Sequence, residues 1–96
     1  MTSQQDQKAQ RDLRILSLLR SAEITKDMET EHLRKMVATA REAEIPANKV
    51  IYRRGDAGQA IYLVEEGEVI IEMDVPNEGL LRMTTVKPLE FFGWSA

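Results

Sequence analysis

The chain has 96 residues and a formal net charge of -3 at pH 7, which allows one small domain and argues against a nucleic-acid partner, since no basic surface dominates. Hydrophobic residues make up 43% and charged residues 30%, as in ordinary soluble globular proteins, and the absence of cysteine excludes disulfides and thiolate metal sites. No apolar run approaches the roughly 20 residues of a membrane helix, so we expect a cytoplasmic protein without a membrane partner.

The N-terminal part is predicted to be a flexible lead-in followed by a helix. Residues 1–11 are polar and charged, with too few apolar side chains to offset the entropy of ordering. We therefore divide the chain into a flexible lead-in at 1–11 and a partial domain at 12–96. From Leu13 the apolar residues fall at helical spacing, which predicts a first helix ending near Glu23.

A second helix and a turn are predicted next. Apolar residues around Val37 recur at helical spacing, and Thr30 is the expected N-cap. A short strand is expected at 41–45. A proline-containing turn then follows, in which Asn48 tolerates the left-handed region, and another strand starts at Lys49.

The segment from residue 50 to residue 71 has the strongest strand pattern in the chain. Branched and aromatic residues at 50–52, 61–64 and 69–71 favour three strands. Glycine-containing turns at Gly55 and Gly67 separate them, because glycine supplies the positive φ that tight turns require.

A β-hairpin is predicted after this segment. Residues 69–75 and 80–86 have strand character and flank a Pro-Asn-Glu-Gly loop at 76–79. Two helices followed by short antiparallel strands predict an α+β chain whose β part is a jelly roll.

Three stretches give the chain a resemblance to a known family. They are RRGDAGQAIYLVEEGEV at 53–69, the hairpin turn at 77–79, and PLEFFG at 88–93. The chain resembles a cyclic-nucleotide-binding domain over residues 13–96. The resemblance implies two helices, an antiparallel jelly roll incomplete at its C-terminus, and a regulatory role with cyclic AMP or cyclic GMP as the ligand.

The resemblance places the ligand site at the last residues of the chain. In the family, a turn after the phenylalanine-glycine pair holds the nucleotide with backbone N–H groups, a glutamate and a later arginine. The matching ligand-binding positions are Gly93, Trp94, Ser95 and Ala96. Trp94 stands in the place of the glutamate, and indole cannot accept a hydrogen bond from a ribose hydroxyl. The arginine has no counterpart, and we expect Trp94 to fill the pocket by packing rather than to stack on a base.

Other residues near these motifs have alternative interpretations. Leu89 stands where the family has a glycine of positive φ, so a strained or different turn is expected. Arg53, Arg54 and Asp56 fit an anion site or, as we favour, solvated charges beside a turn.

No feature predicts a metal centre or an enzyme. The carboxylates near Gly67 lack the alternating aspartate spacing of a calcium loop and are expected to form a solvated hairpin edge. They are Glu65, Glu66, Glu68 and Glu72. His32, the single histidine, is expected on the surface, and no nucleophile has a histidine partner in a recognisable motif.

These observations predict a non-enzymatic, ligand-sensing regulatory module that is defective for cyclic nucleotides. The alternative is a ligand-free protein-interaction or dimerisation module that pairs through an exposed sheet edge with itself or with another protein. A third interpretation is a fragment of a longer regulator whose other residues complete the site.

Overall fold

The computed structural model describes residues 4–56 and 60–93. The helices and strands, in chain order, are α1 (Gln4–Ser21), α2 (Thr30–Thr39), β1 (Tyr62–Leu63), β2 (Val69–Val75), β3 (Gly79–Val86) and β4 (Phe91–Phe92). This is the predicted α+β class, with two helices and two small antiparallel sheets that do not make a complete jelly roll. Among the described helices, none is long and apolar enough to cross a membrane. The chain divides into a helical unit at Met1–Gln59 and a β unit at Ala60–Ala96.

The helical unit is held by a small apolar core between α1 and α2. Its buried hydrophobic residues are Leu19, Ala22, Leu33 and Val37. Thr25 is the buried polar residue of the connection between the helices, and its hydroxyl donates a hydrogen bond to the Leu19 carbonyl. This bond satisfies a hydroxyl whose burial without a partner would be costly.

Helix α1 begins earlier than the sequence predicted. It starts at Gln4 rather than Leu13 and ends at Ser21 rather than near Glu23. Residues 4–10 are exposed, so this extension does not depend on packing. The Gln, Lys and Ala residues there have good helix propensity, which allows the helix to continue outward from its packed part. The flexibility of the lead-in stays a prediction.

Helix α2 lacks the predicted threonine cap. Thr30 is the first helical residue, and the N-cap position belongs to Glu29, whose backbone is extended and whose side chain makes no capping hydrogen bond. The Thr30 hydroxyl instead accepts a hydrogen bond from the Arg20 guanidinium at the end of α1. The prediction was wrong because a tertiary contact engages this hydroxyl.

Two arginines of α1 hold the chain that leaves α2. Arg11 donates a hydrogen bond to the Ala40 carbonyl, and its guanidinium lies 3.7 Å from the Glu42 carboxylate. Arg14 forms an ion pair with the same carboxylate. The segment after α2 is therefore anchored along α1 by side chains.

The predicted strands at 41–45 and from Lys49 through 50–52 are not present. Residues 41–50 are all exposed, and these segments pair with no described strand. A strand needs a partner for its backbone groups, so branched residues alone did not form one. The turn between them is confirmed, since Asn48 has a φ of 67° and the Lys49 amide donates to the Pro46 carbonyl over 3.2 Å.

The predicted β-hairpin is confirmed in the β unit. Strand β2 pairs antiparallel with β3, from Val69 opposite Val86 to Val75 opposite Gly79. The Glu78 amide donates to the Val75 carbonyl over 3.0 Å and closes the loop. Glycine begins β3 with a φ of 83°, one residue before the predicted start.

One face of this hairpin is apolar. Alternation along β2, together with its register, puts Val69, Ile71, Met73 and Val75 on one face, and Leu81 joins them opposite Met73. The pairing shifts by one residue between Ile71 and Glu72, as in a β-bulge. Met73 is 50% and Leu81 is 43% exposed, so this face is only partly covered.

Candidate functional site

The predicted ligand-binding turn follows the short sheet made by β1 and β4. Tyr62 pairs with Phe92, and Leu63 pairs with Phe91. The Tyr62 and Phe92 rings stack with their centroids 4.8 Å apart and their planes inclined by 10°. Phe92 is buried and Phe91 is half-buried, so both phenylalanines pack, as their residue type favours. The site therefore begins on a sheet that aromatic packing holds together.

The turn at residues 87–90, directly before β4, is hydrogen-bonded to Val64, the residue that follows β1. The Glu90 amide donates to the Lys87 carbonyl over 3.0 Å, and the Lys87 amide donates to the Glu90 carboxylate over 2.7 Å. The Leu89 amide donates to the Val64 carbonyl over 2.8 Å, while the Val64 amide donates to the Glu90 carbonyl over 3.0 Å. These bonds continue the pairing of β1 with β4 into the turn.

Leu89 has the positive φ that the sequence resemblance assigns to a glycine at this position. Its φ is 70°, and it follows Pro88, as in a type II turn. A leucine in the left-handed region is strained by about 1 to 2 kcal/mol. The hydrogen bonds of the turn hold Leu89 in this strained conformation.

Gly93 lies where the chain leaves β4, and only glycine fits there. Its φ is 101°, and a Cβ atom built on it would lie 2.6 Å from the Ala60 carbonyl oxygen and 3.2 Å from Cδ2 of Tyr62. This is a close approach of two backbone segments that a side chain would prevent. The other predicted ligand-binding residues, Trp94, Ser95 and Ala96, lie outside the described residues.

The charge of the β unit opposes the binding of an anion. Residues 60–93 carry two basic and seven acidic side chains, so two minus seven gives a formal charge of -5. The predicted solvated edge at Glu65, Glu66 and Glu68 is exposed around Gly67, whose φ is 83°. A phosphate brought to this unit would meet a repulsive field unless a cation were supplied with it.

The remaining candidate residues do not gather into a site. Arg53 and Arg54 are exposed beside the predicted turn, where the Arg53 amide donates to the Asp56 carboxylate over 2.7 Å. His32 is exposed on α2, as expected. Over residues 4–56 and 60–93, no group of three histidine, cysteine or acidic residues is placed to hold a metal ion.

Sequence reasoning missed the pairing that builds this site. It treated the segment at 61–64 as one of three consecutive strands, whereas its Tyr62 and Leu63 pair with the distant aromatic pair at 91–92. The signal was the pair of phenylalanines followed by Gly93, whose lack of a side chain permits the close contact with Ala60.

Comparison with known proteins does not assign a family. No protein-family model matches the chain, and no curated protein matches it. The resemblance to a cyclic-nucleotide-binding domain therefore depends on the motif residues at 53–93.

Proposed function

We propose that this chain acts as a regulatory, ligand-sensing module of the cyclic-nucleotide-binding type, defective for cyclic AMP and cyclic GMP. In this proposal, the two antiparallel sheets are parts of a jelly roll. The module is cytoplasmic and non-enzymatic, which fits the lack of cysteine and of a recognisable nucleophile motif.

The observation that carries the proposal is the geometry of Gly93. The motif resemblance expects a glycine at the entry to the ligand turn, and the backbone there is pressed against the Ala60 carbonyl at a positive φ. Since a glycine at such a contact sets the direction in which the chain leaves the sheet, it fits a turn that presents backbone N–H groups to a ligand.

The chemistry around this turn supports a defective site. Trp94 lacks the acceptor oxygen that a ribose hydroxyl needs, and the formal charge of the β unit disfavours a phosphate. In the proposed module, the packing of the aromatic residues remains while nucleotide capture is lost.

An amide NMR titration of the whole chain tests this proposal. Spectra are recorded with increasing cyclic AMP, cyclic GMP and, as a control for the cyclic phosphate, 5′-AMP. We expect dispersed peaks that none of the nucleotides shifts up to millimolar concentrations. Saturable shifts at Gly93 and its neighbours with a cyclic nucleotide, but not with 5′-AMP, would show that the site is functional and that Trp94 does not disable it.

A second function has its own support in the hairpin. We propose as the alternative a ligand-free interaction or dimerisation module that pairs through a sheet edge. In the described chain, β2 pairs with β3 alone, so each strand has one edge without a partner strand. Such an edge can pair with another chain.

Sedimentation velocity over a wide concentration range, combined with hydrogen exchange of the hairpin amides, tests the alternative. Association should slow the exchange of the outer amides of β2 or β3 as the concentration rises. A monomer at all concentrations, with unprotected outer amides, would remove support for self-pairing.

A further inference from the structure

The helical unit contains an apolar groove that the proposed function does not use. It lies between α1 and α2 and has a volume of about 380 Å³. Leu16 and Val37 contribute to its lining, and Leu13 also lines it while remaining 66% exposed. The core between the helices therefore leaves an apolar strip of α1 uncovered.

Basic side chains surround this apolar strip. Lys8, Arg11 and Arg34 all line the groove, together with one carboxylate, that of Asp12. Arg11 and Asp12 are paired with each other at 3.0 Å. Lys8 and Arg34 make no hydrogen bond or ion pair with another described residue, so their charges are available to a partner.

We propose that this groove docks an amphipathic helix of a partner protein whose apolar stripe is flanked by carboxylates. The apolar stripe would cover Leu13 and Leu16, and the carboxylates would face Lys8 and Arg34. A third helix completes a packing layer that two helices leave open. The charge complementarity selects an acidic partner, since a basic helix would meet two unpaired cations.

Binding to a synthetic peptide tests this proposal with the full chain. The probe is an 18-residue amphipathic peptide with a leucine stripe flanked by glutamates, and the control peptide has lysine in place of each glutamate. Affinity is measured by fluorescence anisotropy at low and at physiological salt. We expect the glutamate peptide to bind, the lysine peptide to bind about tenfold more weakly or not at all, and salt to weaken the binding.

Charge reversal on α2 locates the site. Arg34→Glu should weaken binding of the glutamate peptide by about tenfold and strengthen binding of the lysine peptide. Lys35→Glu is the matched control, because it makes the same charge change on the next residue, which does not line the groove. Its effect should stay below about threefold, since exposed charges are screened. Leu13→Ser should weaken both peptides, and because Leu13 is mostly exposed this variant should fold.

Three results of the peptide experiments would overturn the proposal. They are equal binding of the two peptides, equal effects of Arg34→Glu and Lys35→Glu, and peptide-induced amide shifts that fall outside α1 and α2. Amide shifts of the groove residues that depend on protein concentration in the absence of peptide would also overturn it, because the occupant would then be a second copy of this chain. Circular dichroism of each variant confirms that the helices are retained.

Discussion

The Tyr62 ring lies flat against the Phe92 ring, with 4.8 Å between the centroids and 10° between the planes. These residues face each other directly in the register of β1 and β4. Such cross-strand aromatic pairs contribute about 0.5 to 1.5 kcal/mol beyond the burial of their area. The stack therefore helps two strands of only two residues each to stay paired, next to the glycine that leads into the proposed ligand turn.

Gly93→Ala should destabilise the β unit by about 2 to 4 kcal/mol, because the new Cβ would meet the Ala60 carbonyl at a backbone conformation that alanine disfavours. Urea unfolding followed by far-ultraviolet circular dichroism measures the change. Gly67→Ala is the control, since its φ is 83° but no atom lies within 4 Å of the added Cβ. If both variants lost the same free energy of unfolding, the contact between the new Cβ and the Ala60 carbonyl would contribute nothing to the destabilisation.

Gly67→Val should lower the free energy of unfolding by about 1 to 3 kcal/mol through the backbone alone, since a branched residue at positive φ is strained. Gly67→Asn should cost much less, because asparagine tolerates the left-handed region. Thermal melting compares the two variants. A melting temperature that valine leaves unchanged would mean that this bend adopts another conformation in solution.

The amides of residues 4–10 should exchange with solvent much faster than those around Leu19. The first turns of α1 are exposed, whereas Leu19 is 4% exposed in the core, so opening of the helix start disrupts no packing. Hydrogen exchange measured by NMR provides the comparison. Uniform protection along α1 would contradict the flexible lead-in predicted from composition.

Glu23→Gln should lower the pKa of the Lys26 side chain. The hydrogen bond to Glu23, then the charge of Glu23 and that of Asp27, raise the pKa of this ammonium above its ordinary value of 10.5. The stabilisation of the folded state by this interaction is therefore fully present below pH 10.5, the ordinary pKa that applies to the unfolded chain. It is lost as the pH rises through the higher pKa of the folded chain. A heteronuclear NMR titration of the lysine side chains follows it. Asp27→Asn should lower the pKa less, and the reverse order would contradict this assignment.

Trp94→Glu should not create nucleotide binding by itself. The substitution supplies the ribose acceptor, but the phosphate would add its charge to a unit whose residues 60–93 carry a formal charge of -5. Titration calorimetry with cyclic AMP measures the affinity, and Trp94→Gln is the uncharged control. Micromolar binding by the glutamate variant would show that the acidic charge of this unit does not prevent the binding of a cyclic phosphate.

The local predictions succeeded where neighbouring residues determine the backbone. The hairpin at 69–86 and the turns at Asn48 and Gly67 follow from glycine, asparagine and alternating branched residues within a few positions of each other. The predicted strands at 41–45 and 50–52 failed, because a strand exists only when a partner accepts its hydrogen bonds.

Thr30 and Leu89 show the same limit at single residues. Propensity makes Thr30 a good cap, but Arg20 in another helix binds its hydroxyl. Intrinsic preference opposes a positive φ at Leu89, yet its amide is held by the Val64 carbonyl across the sheet. At both positions a partner distant in the sequence overrides the local preference.

The amino-acid sequence by itself determined the α+β class, the two helices, the hairpin and its turns, because periodicity and turn chemistry act over a few residues. Tertiary structure alone decided that β1 pairs with β4 and that Gly93 lies against the Ala60 carbonyl. It also decided that an apolar groove surrounded by basic side chains lies between the helices. Those features join residues far apart in the chain, and their formation depends on how packed elements share buried surface and backbone hydrogen bonds.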